Sequence, residues 1–324
     1  MSSRDTSLKT PKVTVILLNW NGQEDTCACL DSLAGVRYDN LTIVVVDNGS
    51  KDGSVMVIQD RFPNVRLIAH PVNTGFAEGN NIGIRQVIQE TDYVLLLNND
   101  TLVCADLVER LILYMEAEPT TAVVGPAICY CQEPDRVWCA GLAIGAGRMF
   151  GVPIRNTTSV LMYCGGTVDD LPEQPYSVDA VVGCAMLLRA TVVREIGLLD
   201  SNLFMIHEDF DWSLRAQARG YRCVIVPFVG VWHKVSSSIK LQDQYRRGGA
   251  AAAYYWYRNW LVVVRRHFGL RSMLIVVALY LFRLFPSLVW HDLAQKRIMP
   301  SLWTAYAISV IDALLGRCKR RFVR

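Results

Sequence analysis

The chain has 324 residues, of which 52% are hydrophobic and 19% charged, and its formal net charge is +3. This content is enough for one large α/β domain or a domain with an appendage, and the small net charge gives no reason to expect a nucleic-acid partner. The ten cysteines lack metal-ligand spacing, which argues against a zinc knuckle and favours free thiols in the cytosol. The polar N-terminal residues 1–12 lack the apolar core of a signal peptide.

Four short apolar runs in the first hundred residues predict strands that are buried on both faces. They lie at 13–20, 41–50, 65–70 and 93–100. Helical patterns separate them, at 24–35, 52–62 and 75–90. Strands that alternate with helices over short links predict an α/β fold with a mainly parallel, Rossmann-like sheet covered by helices.

Polar side chains follow three of these strands, at the edge where such sheets bind ligands. They are Asn19 and Asn21, then Asp47, then Asn98, Asn99 and Asp100. Neither GxGxxG nor GxxxxGK[ST] occurs, so a nucleotide site here must be built differently. Asn and Asp also form turns, which would explain one cluster alone, but three clusters on one edge favour a binding site.

The middle of the chain is less regular. Residues 129–178 hold glycines and aromatic residues without helical periodicity, which predicts a β-hairpin and a loop near a bound ligand. Residues 182–190 predict a further strand, in which Gly183 leaves room for a ligand. The stretch "HEDFDW" (207–212) then brings three carboxylates to the start of a predicted helix. Capping and catalysis both explain acidic residues there, and the positive end of the helix would lower their pKa.

The last third of the chain is apolar and basic. Residues 244–269 predict a helix rich in aromatic residues and arginine. Two apolar segments follow at 273–290 and 298–316, interrupted by Arg283, Pro286 and Asp312. Both are borderline in length for spanning a membrane. Three interpretations stay open: a transmembrane hairpin, helices lying in the membrane interface, or helices packed on the globular domain. The flanking basic residues would place both ends on the cytoplasmic side.

The sequence resembles the inverting glycosyltransferases of family 2, which have the GT-A fold, and within them the branch of rhamnosyltransferases and other cell-surface polysaccharide enzymes. The resemblance covers about residues 12–265, in the segments "VTVILLNWNG", "VVDNGSKDGS", "NTGFAEGNNIGI", "LLLNNDT", "VVGCAMLLRATVVREIGLLDSNLFMIHEDFDWSLRAQARGY" and "VWHKVSSS". It implies a GT-A domain at 1–265, with a nucleotide-binding half at 12–128 and an acceptor-binding half at 129–240. Residues 266–324 would form membrane-associating helices.

The resemblance also implies a donor site. Asp47 would hydrogen-bond the nucleobase, because a carboxylate can accept the imide N–H of uracil or thymine. Backbone groups around Asn19 and Asn21 would line the same base. Asn73, Asn80 and Asn99 match polar positions near the nucleotide.

A divalent cation, Mg²⁺ or Mn²⁺, is the implied cofactor. "NND" (98–100) stands where the family has Asp-x-Asp, so Asp100 supplies the one full charge. His233 matches a histidine that completes the metal shell in related enzymes. Such an ion would neutralise the charge that grows on a departing diphosphate.

The general base, by the same resemblance, is Asp209, and Glu208 would orient the acceptor or the base. Asp211, Trp212 and Arg258 are weaker candidates for contact with the acceptor or a diphosphate. The predicted function is transfer of a sugar from dTDP-rhamnose or a UDP-sugar to a lipid-linked or cell-surface polysaccharide acceptor, on the cytoplasmic face of the membrane. A catalytically weak sugar-nucleotide-binding protein is the alternative, which Asn98 supports. A nucleotidyltransferase would need a glycine-rich N-terminal loop, which the chain lacks.

Overall fold

The structure is a computed structural model that describes residues 10–149, 152–235, 249–294, 299–318 and 321. Several segments discussed above lie outside the described residues. They are residues 1–9, the serines 236–238 of "VWHKVSSS", the first five residues of the predicted helix at 244–269, and most of the basic tail.

Four parallel strands form the N-terminal half of the sheet, as predicted. They are β1 Val13–Asn19, β2 Leu41–Asn48, β3 Arg66–His70 and β4 Tyr93–Asn98, and the helices between them are α1 Gln23–Leu33, α2 Ser54–Arg61 and α3 Phe76–Val87. Asn19 is level with Asp47, and Leu18 is level with Asn98. The polar residues that end these strands therefore share one edge.

The rest of the sheet is mixed. The elements of this part of the chain are, in order, β5 Thr101–Val103, α4 Leu107–Ala117, β6 Thr121–Tyr130, β7 Val137–Cys139, β8 Leu142–Met149, β9 Val152–Leu161, β10 Tyr176–Ser177, β11 Ala185–Arg189, α5 Ala190–Ile196, α6 Glu208–Gln217 and β12 Arg222–His233. The strand order is β10-β12-β6-β11-β4-β1-β2-β3, and β8 and β9 form a separate hairpin, as expected for 129–178. Because β11 runs antiparallel to both β4 and β6, the sheet is parallel only in its first half and around β6 and β12.

Both faces of the sheet are covered, which explains the continuous apolar runs of the strands. On one face, Val15 and Leu17 of β1 pack in a core that includes residues of α1, α4 and a C-terminal helix. On the other face, Ile16 packs with Val46 of β2 and Ile84 of α3. The predicted α/β, GT-A-like arrangement of helices on both sides of a sheet is confirmed.

Three C-terminal helical segments complete the fold: α7 Gly249–Leu279, which continues through a π-helical turn (Tyr280–Leu284) into α8 Phe285–Ala294, and α9 Pro300–Leu314. By length and composition, Gly249–Ala294 is the one helical stretch among the described residues that could cross a membrane. It is not a straight rod, because Gly269 has a non-helical backbone (φ 86°, ψ 172°). The rings of Tyr257 and Tyr280 lie 5.2 Å apart, whereas a straight helix would separate them by roughly 34 Å. The chain therefore reverses near Gly269.

Candidate active site

Asp100 and His233 meet although 133 positions separate them in the sequence. β4 ends at Asn98, the chain turns, and β5 starts at Thr101, which pairs with His233 at the end of β12. The backbone N–H of Lys234 donates to the carbonyl of Asp100 at 2.9 Å. His233 Nε2 then lies 3.0 Å from Asp100 Oδ1. The pairing of two short strand ends thus brings together the two predicted metal ligands.

The surroundings of this pair favour a charged Asp100. Burial alone would raise the pKa of Asp100, but the hydrogen bond and charge of His233 outweigh burial and lower it below its usual value. The ammonium group of Lys234 lowers it further, although that side chain also pairs with Asp25 at 2.7 Å. The ring of Trp138 packs edge-on against His233, with 4.5 Å between the ring centroids. Asp100 is therefore held as an anion beside a fixed imidazole.

The pair fits a divalent cation that also binds a substrate. Neighbouring ligands of an octahedral Mg²⁺ lie about 3 Å apart, since the metal–ligand bonds are about 2.0–2.1 Å long and meet at right angles. The 3.0 Å between Asp100 Oδ1 and His233 Nε2 matches that spacing. No group of three or more His, Cys, Asp or Glu in the described part of the chain could hold a metal. The remaining ligands would therefore come from phosphate oxygens or water.

A buried polar network joins the ends of β1 and β2. Asn19 Nδ2 donates to Asp47 Oδ2 at 2.7 Å, and Asn19 Oδ1 accepts from the hydroxyl of Thr26 at 2.8 Å. Asp47 Oδ1 accepts from the backbone N–H of Ser50, three residues on, at 3.0 Å, a side-chain contact that closes the turn after β2. Asn99 reaches the same network through a 2.9 Å hydrogen bond to Thr26. Asp47 therefore does stabilise a turn, as its residue type suggests. Its contact with a nucleobase stays a prediction.

The other residues that are predicted to bind the nucleotide differ in their exposure to solvent. Asn21 is exposed in a left-handed conformation (φ 51°), and its Oδ1 accepts from the N–H of Lys51 at 2.7 Å. Asn73 is half-buried, and its Oδ1 accepts from the N–H of Gly75 at 2.8 Å. Asn80 is buried in α3 and donates to the carbonyl of Phe76 at 2.9 Å. Direct contacts of these residues with a nucleotide stay predictions.

Trp20 is a candidate that the sequence analysis did not include among the site residues. It lies between Asn19 and Asn21 at the end of β1 and is 48% exposed. A large aromatic side chain that is left in solvent at a ligand-binding edge offers a face on which a base can stack. The signal that could have identified it is its position between two of the predicted site residues.

The acidic pair Glu208–Asp209 starts α6. Asp209 Oδ2 accepts from the backbone N–H of Gly183 at 2.9 Å. The next residue, Cys184, accepts through its carbonyl from the N–H of Asn98 at 2.9 Å. One turn, 183–184, thus contacts both the predicted base and the strand that leads to Asp100. A Cβ on Gly183 would lie 3.3 Å from the ring of Phe76, so this turn is closely packed.

The pKa of Asp209 differs from the sequence-based expectation. The positive end of α6 was expected to lower it, but burial raises it, and hydrogen bonds from the N–H groups of Gly183 and Phe210 offset that effect only in part. Burial also raises the pKa of Glu208 well above its usual value, and the charge of Asp209 raises it further. The expectation was wrong because desolvation outweighs the helix dipole at this position. Of the two carboxyl groups, Glu208 has the more strongly raised pKa.

Asp211, Trp212 and Arg258, the weaker candidates, are all fully buried. Asp211 binds His267 at 3.0 Å, Arg215 at 2.9 Å and Arg266 at 2.6 Å, contacts that together overcome burial and hold its pKa at about 2. Trp212 Nε1 donates to the carbonyl of Gly197 at 3.0 Å. Arg258 Nη1 donates to the carbonyl of Asn202 at 2.9 Å. In this conformation the three side chains make contacts within the protein, and contact with an acceptor or a diphosphate stays a prediction for each.

The family model that describes Glycosyl transferase family 2 matches residues 14–197, more than half of the chain. The chain belongs to glycosyl transferase family 2. The predicted assignment to the glycosyltransferases is therefore confirmed at the level of the family. The matched region contains β2 to β4 and all of β1 except its first residue, the turn at 183–184 and Asp100, and it ends before Glu208, Asp209 and His233.

Two relatives from bacteria show how far this family 2 chain can be aligned. It is 28% identical over 248 residues to uncharacterized protein y4gI of Sinorhizobium fredii, a match that covers 72% of the chain but 26% of that protein. It is 24% identical over 227 residues to the N-acetylglucosaminyl-diphospho-decaprenol L-rhamnosyltransferase of Mycobacterium tuberculosis, covering 64% of the chain and 71% of the enzyme. The chain therefore spans about a quarter of the first relative and most of the second.

A solved structure supports the fold assignment. The mannosyltransferase PcManGT from Pyrobaculum calidifontis, in complex with GDP-Man and Mn²⁺, superimposes with a TM-score of 0.57 at 14% sequence identity. The match covers 95% of this chain and 88% of that one, so it includes the C-terminal helices of the family 2 chain as well as its sheet.

Proposed function

We propose that this family 2 protein is an inverting glycosyltransferase that moves a sugar from dTDP-rhamnose or a UDP-sugar to a lipid-linked or cell-surface polysaccharide acceptor. One observation carries the proposal. Asn98, two residues before Asp100, and the Asp209 carboxylate both bind the 183–184 turn, through hydrogen bonds of 2.9 Å on each side of it. A cation site and a base on either side of one turn are what displacement at a sugar carbon requires.

The donor would lie along the ends of β1, β2 and β4. Trp20 would stack on the base, and Asp47 would accept its imide N–H through a lone pair that the Asn19 and Ser50 contacts leave available. Asn21, Asn73, Asn80 and Asn99 would shape the walls around the ribose and the diphosphate.

Asp100 and His233 would hold Mg²⁺ or Mn²⁺ together with the diphosphate. The ion, when bound, supplies positive charge that offsets the negative charge on the leaving group. An imidazole ligand favours Mn²⁺ somewhat over Mg²⁺. The Mn²⁺ in the PcManGT complex supports this assignment.

Asp209 would take the proton of the acceptor hydroxyl as that oxygen attacks the anomeric carbon from the face opposite the diphosphate. General-base catalysis of this kind typically contributes ~10²–10⁴-fold. Glu208, which keeps its own proton longer, would donate a hydrogen bond and orient the acceptor or the base. The two carboxyl groups would thus have separate roles.

The acceptor assignment rests on the relative that transfers L-rhamnose to an N-acetylglucosaminyl-diphospho-decaprenol and on the apolar surface of the C-terminal helices. That surface would hold the protein on the cytoplasmic face of the membrane, as a peripheral or monotopic protein, where an amphiphilic acceptor is within reach. The proposed division into a GT-A domain at 1–265 and membrane-associating helices at 266–324 fits this arrangement. The proposed nucleotide-binding half (12–128) and acceptor-binding half (129–240) would differ in function but share one sheet. The boundary between them falls inside a single strand, β6.

A catalytically weak nucleotide-sugar-binding protein is the second candidate. Asn98 in place of an aspartate and a metal pair of only two side chains favour it. It predicts donor binding without turnover.

The test measures nucleoside diphosphate released from dTDP-rhamnose and from UDP-sugars by the purified full-length protein, with a polyprenyl-diphosphate-linked sugar as acceptor. We expect turnover that EDTA abolishes and Mn²⁺ or Mg²⁺ restores. Asp100→Asn should lose most of this activity, whereas Asp60→Asn, an exposed carboxylate of α2, should retain it. Donor binding without release from any donor would favour the weak binder instead.

A further inference from the structure

The loop that leads into α6 has an unusual backbone. Phe204, Ile206 and His207 all have positive φ angles (62°, 71° and 71°), and they are three of the six non-glycine residues with positive φ in the described ranges. In this region the Cβ of an L-residue clashes with the backbone, and for a β-branched residue such as Ile206 the conformation is a genuine outlier. Such a conformation persists only where surrounding contacts enforce it.

Asn259, on α7, provides that enforcement. Its Nδ2 donates to the carbonyls of Leu203 at 2.7 Å, Met205 at 2.7 Å and Ile206 at 2.6 Å. An amide has two N–H bonds, so one of them is shared between two carbonyls. The opposite orientation would place the amide oxygen against three carbonyl oxygens, which fixes the orientation of the side chain. The fully buried Asn259 thus binds three carbonyls of the loop. The carbonyl of Leu203, at the end of a short 3-10 helix, also accepts from the N–H of Met205 at 2.7 Å, so Asn259 is the donor found among the described residues for those of Met205 and Ile206.

Neighbouring residues of α7 contact the same loop. Arg258 donates to the carbonyl of Asn202, as described above. The ring of Tyr255 stacks on Phe204, with 5.0 Å between centroids, and the ring of Trp260 lies 5.1 Å from His207. The loop is therefore held from Asn202 to His207, directly before Glu208 and Asp209.

We propose that Asn259 is a positioning residue for the transfer reaction: by binding the carbonyls of Leu203, Met205 and Ile206 it fixes the strained loop that brings Asp209 to the sugar-binding edge. The inference rests on the proposed function. Asn259 contacts neither of the two carboxyl groups, so it acts through the backbone. An apolar residue of similar size would fill the same space in the core but leave the carbonyls of Met205 and Ile206 without the donor that Asn259 supplies, and the loop would relax towards negative φ.

The experiment compares full-length wild type with Asn259→Ala and with Val264→Ala, a buried α7 residue that has no hydrogen bond to the loop among the described residues. We expect Asn259→Ala to lower kcat about 10–100-fold, since misplacement of a reacting group by about 1 Å has an effect of that size. The KM for the donor should stay within about twofold, because the proposed donor site lies on other elements. The kcat of Val264→Ala should stay close to that of the wild type.

A second comparison repeats the Asn259→Ala change in an Ile206→Gly variant and tests the backbone strain of the loop directly. Ile206→Gly removes the clash that makes the positive φ unfavourable, so the loop should need Asn259 less. The loss of kcat on changing Asn259 to Ala should therefore be smaller in Ile206→Gly than in wild type, a coupling that a double-mutant cycle measures. Equal losses in both backgrounds, or equal losses in Asn259→Ala and Val264→Ala, would overturn the proposal.

Amide hydrogen exchange separates this inference from the proposed function. In Asn259→Ala, amides of residues 203–210 should exchange faster while those of β1 to β4 keep their wild-type rates. If wild type transfers no sugar, the proposed function fails, and the exchange rates alone decide whether Asn259 holds the loop. Unchanged exchange at 203–210 would refute the role of Asn259 in holding the loop, whether or not the protein is active.

Discussion

At the scale of single residues, Asp209 carries the most specific prediction. Asp209→Asn keeps the size of the side chain and can still accept from Gly183, but an amide cannot take a proton from an alcohol. We expect kcat to fall ~10²–10⁴-fold while the dissociation constant of the donor with Mn²⁺ changes little. Single-turnover transfer and donor titration measure the two quantities. Near wild-type turnover by a folded variant would remove Asp209 from the mechanism.

The pH dependence of transfer follows from the raised pKa of Asp209. A general base works only in its ionised form, and burial moves the pKa of this carboxyl above the usual 3.8. Activity should therefore rise with pH along an acidic limb that lies above pH 3.8. The profile of kcat/KM between pH 4 and pH 8 checks this, with stability followed in parallel. An activity that is flat across this range, or that falls as pH increases from 4, would contradict the assignment.

At the scale of residues, the sequence predicted which side chains form the site better than it predicted the environment around them. The family resemblance predicted Asp100 and His233 as metal ligands, and β5 pairing with β12 brings them to 3.0 Å. The raised pKa of Asp209 was missed because desolvation depends on what packs over α6, which periodicity does not reveal. Asn259 was missed for the same reason, since its three acceptors lie more than fifty positions away.

At the scale of elements, α3 lies unusually close to the sheet. A Cβ on Gly83 would lie 2.8 Å from Ile16 Cγ2 and 3.1 Å from Val46 Cγ2, both on rigid β-branched side chains. Alanine gains about 1 kcal/mol of helix propensity over glycine, but overpacking typically costs about 1–3 kcal/mol. We expect Gly83→Ala to lower the free energy of unfolding and Gly83→Val to lower it more. A Tm that rises in either variant would contradict this close contact.

The elements predicted best were those with strong local patterns. β1 to β4 and α1 to α3 fall within a few residues of the predicted ranges, because each has a continuous apolar run or a helical stripe. The antiparallel insertion of β11 between β4 and β6 was not predictable, since strand direction depends on pairing partners. The predicted helix at 244–269 ends in the reversal at Gly269, beyond which α7 continues.

At the scale of the whole molecule, the apolar surface is unevenly distributed. Ten of the fifteen exposed large hydrophobic side chains in the described ranges lie between residues 270 and 315. Phe282 and Trp290 are each 76% exposed, and the exposed Arg271 and Arg317 lie on the same segments. Apolar side chains mixed with cations are typical of helices that lie in a membrane interface. The reversal at Gly269 and the packing of Tyr306 between Tyr257 and Phe285 fold these helices against one another.

This surface predicts reversible binding to anionic vesicles. The double variant Phe282→Ser, Trp290→Ser removes two side chains whose burial in lipid is worth about 1.5–3 kcal/mol each, so vesicle binding should weaken at least about tenfold. Leu113→Ser is the matched control, because Leu113 is 74% exposed but lies on α4 of the sheet domain. Cosedimentation with liposomes measures both. Equal binding by the two variants would place the membrane contact elsewhere.

Extraction from membranes then separates interfacial attachment from spanning. An interfacial protein is held by one apolar face and by lipid charge, so high salt followed by carbonate should release it. A hairpin that spans the bilayer with 273–290 and 298–316 would separate Tyr280 from Tyr257 and would move Asp312 into lipid, away from Tyr254, to which it binds at 2.9 Å. Because those contacts join the C-terminal helices to the part of α7 that also holds the loop before Asp209, we expect release with activity retained. Retention in the carbonate pellet would mean that the helices span the bilayer.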